Sequence, residues 1–150
     1  MNRPPSPMER ALALAREAGE RGEVPVGAVV VAPDGAVLAA AANAVEAEGD
    51  AARHAEIIAL AAAARVRGDR RLAGCDLYVT LEPCPMCAGA IGLYRLRRLV
   101  FGAYDPKGGG VDHGPRVFQT AGTLSAPEIV GGVCERESAA LLRAFFAARR

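Results

Sequence analysis

Apolar residues recur at helical spacing over Met8, Ala11, Leu12, Ala15 and Ala18, with Glu9, Arg10, Arg16 and Glu17 between them. That pattern predicts an amphipathic helix over residues 8–18, ending near Gly19. The period then changes. Glu23-Val24-Pro25-Val26-Gly27-Ala28-Val29-Val30-Val31 is a β-rich run, and Pro33-Asp34-Gly35 marks a turn into the apolar stretch from Ala36 to Ala42, together a hairpin. Residues 45–53 form an acidic, alanine-rich connection, in which Asp50 is a candidate cap for a helix that starts near His54 and runs to about Arg67, where Gly68 stops it. Leu77-Tyr78-Val79-Thr80-Leu81 reads as a short buried strand, Met86 to Tyr94 as a helix of small and apolar residues, and Arg97 to Gly102 as another strand. The loop from Ala103 to Lys107 runs into Gly108-Gly109-Gly110, which is expected to give it freedom. Residues 113–125 carry no clear pattern. Glu128 to Val130 reads as a last short strand, and Ser138 to Arg149 as a terminal helix with Leu141, Leu142, Phe145 and Phe146 toward the sheet and Arg143, Arg149 and Arg150 pointing elsewhere. Helices alternating with strands after a hairpin predict an α/β sandwich around one mixed sheet. No repeat or linker divides the chain, so residues 8–150 are expected to form a single domain behind a loose, proline-rich arm at 1–7.

Composition narrows the partners without naming one. A hydrophobic fraction of 51% and a charged fraction of 23% are those of a soluble globular protein. No apolar run demands a membrane, and a reducing cytoplasm is the expected setting for cysteines with no disulfide-like spacing. The formal charge of +1 gives no overall basic excess, so any nucleic-acid contact has to come from local patches. Arg65, Arg67, Arg70 and Arg71 and the C-terminal arginines are the candidates.

The chemistry lies in two short motifs, His54-Ala55-Glu56 and Pro83-Cys84-Pro85-Met86-Cys87, each at the head of an apolar helix. Zinc favours imidazole and thiolate ligands in tetrahedral geometry, and a catalytic site uses three protein ligands to leave room for water. His54, Cys84 and Cys87 supply three. Cys84 and Cys87 share one helical face, and the positive end of that helix favours thiolates. Glu56 follows His54 at a spacing wrong for a second ligand on that face, which frees its carboxylate to serve as a proton shuttle. Asn43, at the end of the second strand, carries an amide that can read a base edge or a ribose hydroxyl, or simply form a turn. A Cys-x-x-Cys pair also serves as half of a structural zinc site or as a redox pair. Cys75 and Cys134 are available as further ligands, but each stands alone and reads more readily as a small buried apolar residue. His113, in a glycine-rich loop, is a weaker ligand candidate.

His-x-Glu followed by Pro-Cys-x-x-Cys is the signature of zinc-dependent nucleobase deaminases. With Glu23-Val24-Pro25-Val26-Gly27-Ala28-Val29, the block from Thr80 to Ala90, and Val100-Phe101-Gly102-Ala103 with Asp105 and Lys107, the chain resembles the bacterial tRNA-specific adenosine deaminases of the cytidine deaminase-like superfamily. That resemblance implies a three-layer α/β/α sandwich with a five-stranded mixed sheet, one Zn2+ per subunit and a homodimer. It implies hydrolytic conversion of adenosine to inosine at the wobble position of a tRNA anticodon stem-loop. By the same resemblance His54, Cys84 and Cys87 match the zinc ligands and Glu56 the proton-shuttling carboxylate. Asn43 matches a base contact, Ala55 and Leu81 line the base pocket, and Asp105 and Lys107 approach the neighbouring nucleotides. The chain departs from the family pattern at Asp50-Ala51-Ala52-Arg53, from Gly108 to Phe118 and at Ser125-Ala126-Pro127. The last two fall where grip on RNA is expected. Two other functions fit the same residues: deamination of a free base or nucleoside such as guanine or cytosine, and a zinc-stabilised binding module without catalysis.

Overall fold

The computed structural model describes residues 3–120, 122 and 125–149. Five strands form one sheet in the order β2-β1-β3-β4-β5. β1 (Gly27–Val31) runs antiparallel to β2 (Val37–Ala42) and to β3 (Asp76–Leu81), whereas β3, β4 (Arg98–Ala103) and β5 (Glu128–Val130) are parallel. Both faces of the sheet are covered. Ala28 and Val30 of β1 join Leu77, Val79, Leu99 and Phe101 in a core under α3 (Ala55–Arg67) and α4 (Pro85–Tyr94). Their neighbours Val29 and Val31 point the other way, with Val100, onto α1 (Pro7–Glu20) and α5 (Glu135–Ala147). The result is the expected three-layer α/β/α sandwich with a mixed sheet. Gly27 lets α1 lie on β1, because a Cβ at that position would overlap the Ala11 carbonyl.

Several boundaries differ from the expected ones, each for a physical reason. Helix α1 begins at Pro7 because Ser6 and Glu9 form a capping box, Glu9 N donating to Ser6 Oγ at 3.2 Å and Ser6 N to Glu9 Oε1 at 3.1 Å. Residues 45–53 are not a plain connection. Val45–Glu48 is a short helix, α2, whose Glu46 and Ala47 amides donate to the buried Glu23 carboxylate at 3.0 and 2.8 Å. Asp50 does not cap α3: its carboxylate accepts from the Ala52 amide at 2.9 Å, and His54 occupies the N-cap position. Gly68 ends α3 in the left-handed conformation, as expected. A 3-10 turn, η1 (Val117–Gln119), lies in the stretch without a readable pattern. Helix α5 starts a turn early, at Glu135, with Cys134 before it at φ 57°; Cys134 is half-buried, whereas Cys75 is buried as expected.

Two ion pairs tie the parallel strands together, Arg98 of β4 to Glu128 of β5 at 2.9 Å, and Arg97, just before β4, to Asp76 of β3. Asp76, buried at the start of β3, receives Arg97 Nε at 2.9 Å and Nη2 at 2.6 Å. Arg97→Ala leaves that carboxylate without its bidentate partner and is expected to destabilise the fold. Urea unfolding would register this as a lower midpoint at unchanged slope. An unchanged midpoint would mean that solvent replaces the arginine.

Candidate metal centre and substrate cavity

Two helix N-termini meet at one point. His54 is the N-cap of α3 and Cys84 the N-cap of α4, with Cys87 in the first turn of α4. Pro85 opens α4, where a missing N–H costs nothing. Strand β3 delivers Glu82-Pro83-Cys84 beside the end of β4. His54 Nδ1 lies 3.5 Å from both Cys84 Sγ and Cys87 Sγ, and the three ligand atoms all fall within 4.8 Å of one another. Tetrahedral zinc bonds would separate nitrogen from sulfur by about 3.6 Å. The residues therefore fit one zinc ion.

The charges agree with the geometry. A hydrogen bond from Cys87, joined by His54, draws the Cys84 thiol down to about 4 against the upward push of burial. Its bond to Cys84, and then burial, drive Cys87 strongly the other way. Two adjacent thiolates need a cation to coexist, and a divalent metal supplies it. Neither Cys75 nor Cys134 belongs to the donor group, so a four-ligand structural site does not assemble among the described residues. Glu56 is only 4% exposed, and burial pushes its carboxyl up to about 7. A carboxyl poised near neutrality can both take and give a proton.

Above the ligands opens a cavity of about 490 Å³, with Asn43, His54, Glu56, Leu81, Cys84 and Asp105 in its wall. Its size suits a small-molecule ring system. Asn43 Oδ1 accepts from Ala55 N at 2.8 Å while Nδ2 donates to Val24 O at 3.2 Å. The asparagine thus satisfies the first amide of α3 from outside the helix, and each end of its amide keeps capacity for one more bond. Ala55 is buried beside it. Asp105 Oδ1 accepts from the Lys107 and Gly108 amides at 3.2 and 2.9 Å, folding a tight turn on which Lys107 stands exposed.

The arginines divide. Arg65, Arg67, Arg70 and Arg71 gather at the C-terminal end of α3, whose thirteen residues put them about 20 Å from its metal-binding end. Arg67 is engaged there in holding the fold, its Nη1 2.7 Å from Ala73 O and 2.9 Å from Cys75 Sγ. Arg149, in contrast, does not point away as expected. Its Cζ lies 3.5 Å from the Phe145 ring centroid, its Nη1 donates to Phe145 O at 3.1 Å, and both residues line the cavity. Arg150 lies outside the described residues.

Comparison with known proteins agrees with the site. Residues 1–103 match the family model for the cytidine and deoxycytidylate deaminase zinc-binding region. The tRNA-specific adenosine deaminase of Agrobacterium fabrum is 51% identical over 143 residues, covering 95% of this chain and 93% of that one. The chain belongs to this family of zinc deaminases. A solved structure described for A-to-I editing by tRNA:A34 deaminases at the wobble position superimposes with a TM-score of 0.88 at 51% identity, covering 91% of this chain and 98% of that one. A guanine deaminase from Nitrosomonas europaea superimposes with a TM-score of 0.81 at 25% identity, covering 98% and 86%. The fold thus also serves an enzyme whose substrate is a free base.

One feature of this deaminase has no local signal in its sequence. The Glu82 side chain is fully buried, and its carboxylate gathers the loop that follows β4. Burial would raise its pKa, but the Asp105 amide, the His113 ring and the Asp112 and Val111 amides hold the carboxyl below its ordinary value. Gly108-Gly109-Gly110 does not supply freedom. Gly109 and Gly110 are buried, and a Cβ on Gly109 would overlap Glu82 Oε2.

Proposed function

We propose that this enzyme deaminates adenosine to inosine at the wobble position of a tRNA anticodon stem-loop, with residues 8–150 working as one catalytic domain in the cytoplasm. The observation that carries the reading is a buried carboxylate, Glu56, beside three residues placed to ligate one zinc ion, in the wall of a cavity that Phe145 and Arg149 also line. Similarity over nearly the whole chain to a tRNA-specific adenosine deaminase supports the choice of substrate.

His54, Cys84 and Cys87 would hold the zinc, which would supply a Lewis acid able to make water acidic enough to ionise near neutral pH. Glu56 takes a proton from the attacking water and places it on the ring nitrogen beside the carbon that carries the amino group. The hydroxyl oxygen adds to that carbon, Glu56 takes its remaining proton and hands it to the amino group, and the C–N bond breaks as the C=O bond forms and ammonia leaves. Water is consumed, ammonia leaves and inosine remains. Asn43, fixed by Ala55 N and Val24 O, offers its remaining donor and acceptor to the base or ribose. Leu81 supplies an apolar wall, Ala55 shapes the pocket beside it, and Asp105 and Lys107 face the flanking nucleotides.

Arg149, held over Phe145, is suited to a phosphate next to the extruded base. Arg149→Ala is expected to weaken RNA binding and to lower the slope of log K against log[salt] by about 1. An unchanged slope would remove Arg149 from the RNA surface.

The outward faces of α3 and α4 support a homodimer. Met86 is 41% and Leu93 62% exposed, Ile57 and Ile58 are half-buried, and α4 carries no charged residue. A helix apolar on all sides is one that another surface covers, and a second copy of the chain supplies it here.

The test is to incubate the zinc-loaded enzyme with an anticodon stem-loop bearing adenosine at the wobble position, digest it and identify the nucleosides. Inosine is expected there and absent from a stem-loop whose adenosine has been moved by one position. Inosine in neither RNA would overturn the proposal.

A further inference from the structure

Glu82 follows β3 directly, two residues before the first zinc-binding cysteine, and borders the cavity, but the hydrogen bonds of its carboxylate all go to the loop after β4. Oε1 accepts from Asp105 N at 3.0 Å and from His113 Nδ1 at 2.8 Å. Oε2 accepts from the amides of Val111, Asp112 and His113 at 3.1, 2.9 and 3.1 Å. Five N–H groups from one loop thus converge on a single carboxylate that solvent does not reach. A buried acceptor with that many donors organises its surroundings, because each amide would otherwise be left unsatisfied. An ionised carboxylate suits the set, being an acceptor only, whereas a carboxamide would turn an NH2 group against two or three donors.

The glycines complete the fit. Gly109 packs directly on Oε2, leaving no room for a Cβ, and Gly110 N donates to Pro83 O at 2.8 Å. The loop is therefore tied both to Glu82 and to the segment entering the metal helix. Its near end carries Asp105 and Gly108, which border the cavity, and the exposed Lys107. It carries no zinc ligand and not the proton carrier, Glu56.

We propose that Glu82 is a positioning residue: its buried carboxylate is the template that shapes the loop from Asp105 to His113, and through that loop it sets how tightly substrate RNA is held. The link to RNA rests on the function proposed above, while the link to the loop does not. This accounts for a glycine run in place of a longer polar grip, since the shape is imposed from beneath by one carboxylate.

The experiment uses full-length, zinc-loaded Glu82→Gln and Gly109→Ala, the second disturbing the same contact from the loop side. Zinc content, amide hydrogen exchange across residues 105–113, and kcat and KM on the stem-loop RNA are measured for both. Exchange in the loop is expected to quicken about tenfold or more. KM is expected to rise about tenfold, with kcat within about threefold of the parent. In a Lys107→Ala background the Glu82→Gln change should add much less to KM, because both act through one loop.

Unchanged exchange in both variants would overturn the proposal. So would a fall in kcat at constant KM, and so would loss of zinc or of folding in both, which would make Glu82 a residue of the metal site or core. If the parent enzyme leaves RNA untouched, the proposed substrate fails; the exchange data still decide whether Glu82 holds the loop, and KM is then read with the base the parent accepts.

Discussion

Replacing Glu56 by glutamine is expected to cut kcat by about 10²–10⁴-fold while leaving one zinc per subunit in place. Glu56 lies in the first turn of α3, buried, two residues after His54 and outside the three-member donor group. The amide has the size of the acid but cannot carry the proton from water to the base and the leaving ammonia. Its burial without charge adds no unpaired ion, so the fold should tolerate it. Turnover and metal analysis on the same preparation check this. A variant within tenfold of the parent would mean that another group moves the proton; a variant without zinc would mean that Glu56 supports the ligands.

Removing the metal is expected to abolish turnover and to lower the thermal midpoint, with both restored by zinc. A ligand present at a thousand times its Kd stabilises the folded state by about 4 kcal/mol. For a chain of this length that corresponds to roughly 10 °C. The physical source is the pair Cys84 and Cys87, whose sulfurs sit with His54 Nδ1 at the ends of two packed helices and repel each other as thiolates without a cation. A chelated enzyme that keeps its midpoint would show a cluster preformed at no cost, and one that keeps its activity would remove zinc from the reaction.

The elements whose partners lie nearby in the chain were legible in the sequence. The β-rich run of β1, the Pro33-Asp34-Gly35 turn, Gly68 at the end of α3 and the zinc ligands at two helix starts each follow from local spacing. What escaped depends on partners far along the chain. Glu23 holds α2, more than twenty residues later, so no local pattern distinguished residues 45–48 from a loop. Asp50 looked like a cap by position, but the first amide of α3 is satisfied by Asn43, across from the hairpin. The glycines at 108–110 carry a composition that suits a flexible tether, yet they are there to let backbone approach Glu82 and Pro85. Arg149 reads as a solvated helix end until its ring partner four residues earlier is considered, since cation and aromatic face meet at that helical spacing.

The central claim, a zinc deaminase turned to an adenosine in RNA, is tested most directly by ranking substrates for one enzyme preparation. The wobble-adenosine stem-loop is offered beside free adenosine, cytidine, cytosine and guanine, and kcat/KM is compared. The account predicts efficient inosine formation in the stem-loop and at least about a hundredfold lower kcat/KM for every free compound, because only RNA engages the Asp105 loop and Arg149 as well as the base pocket. Rapid deamination of guanine or another free base with the RNA left intact would contradict it.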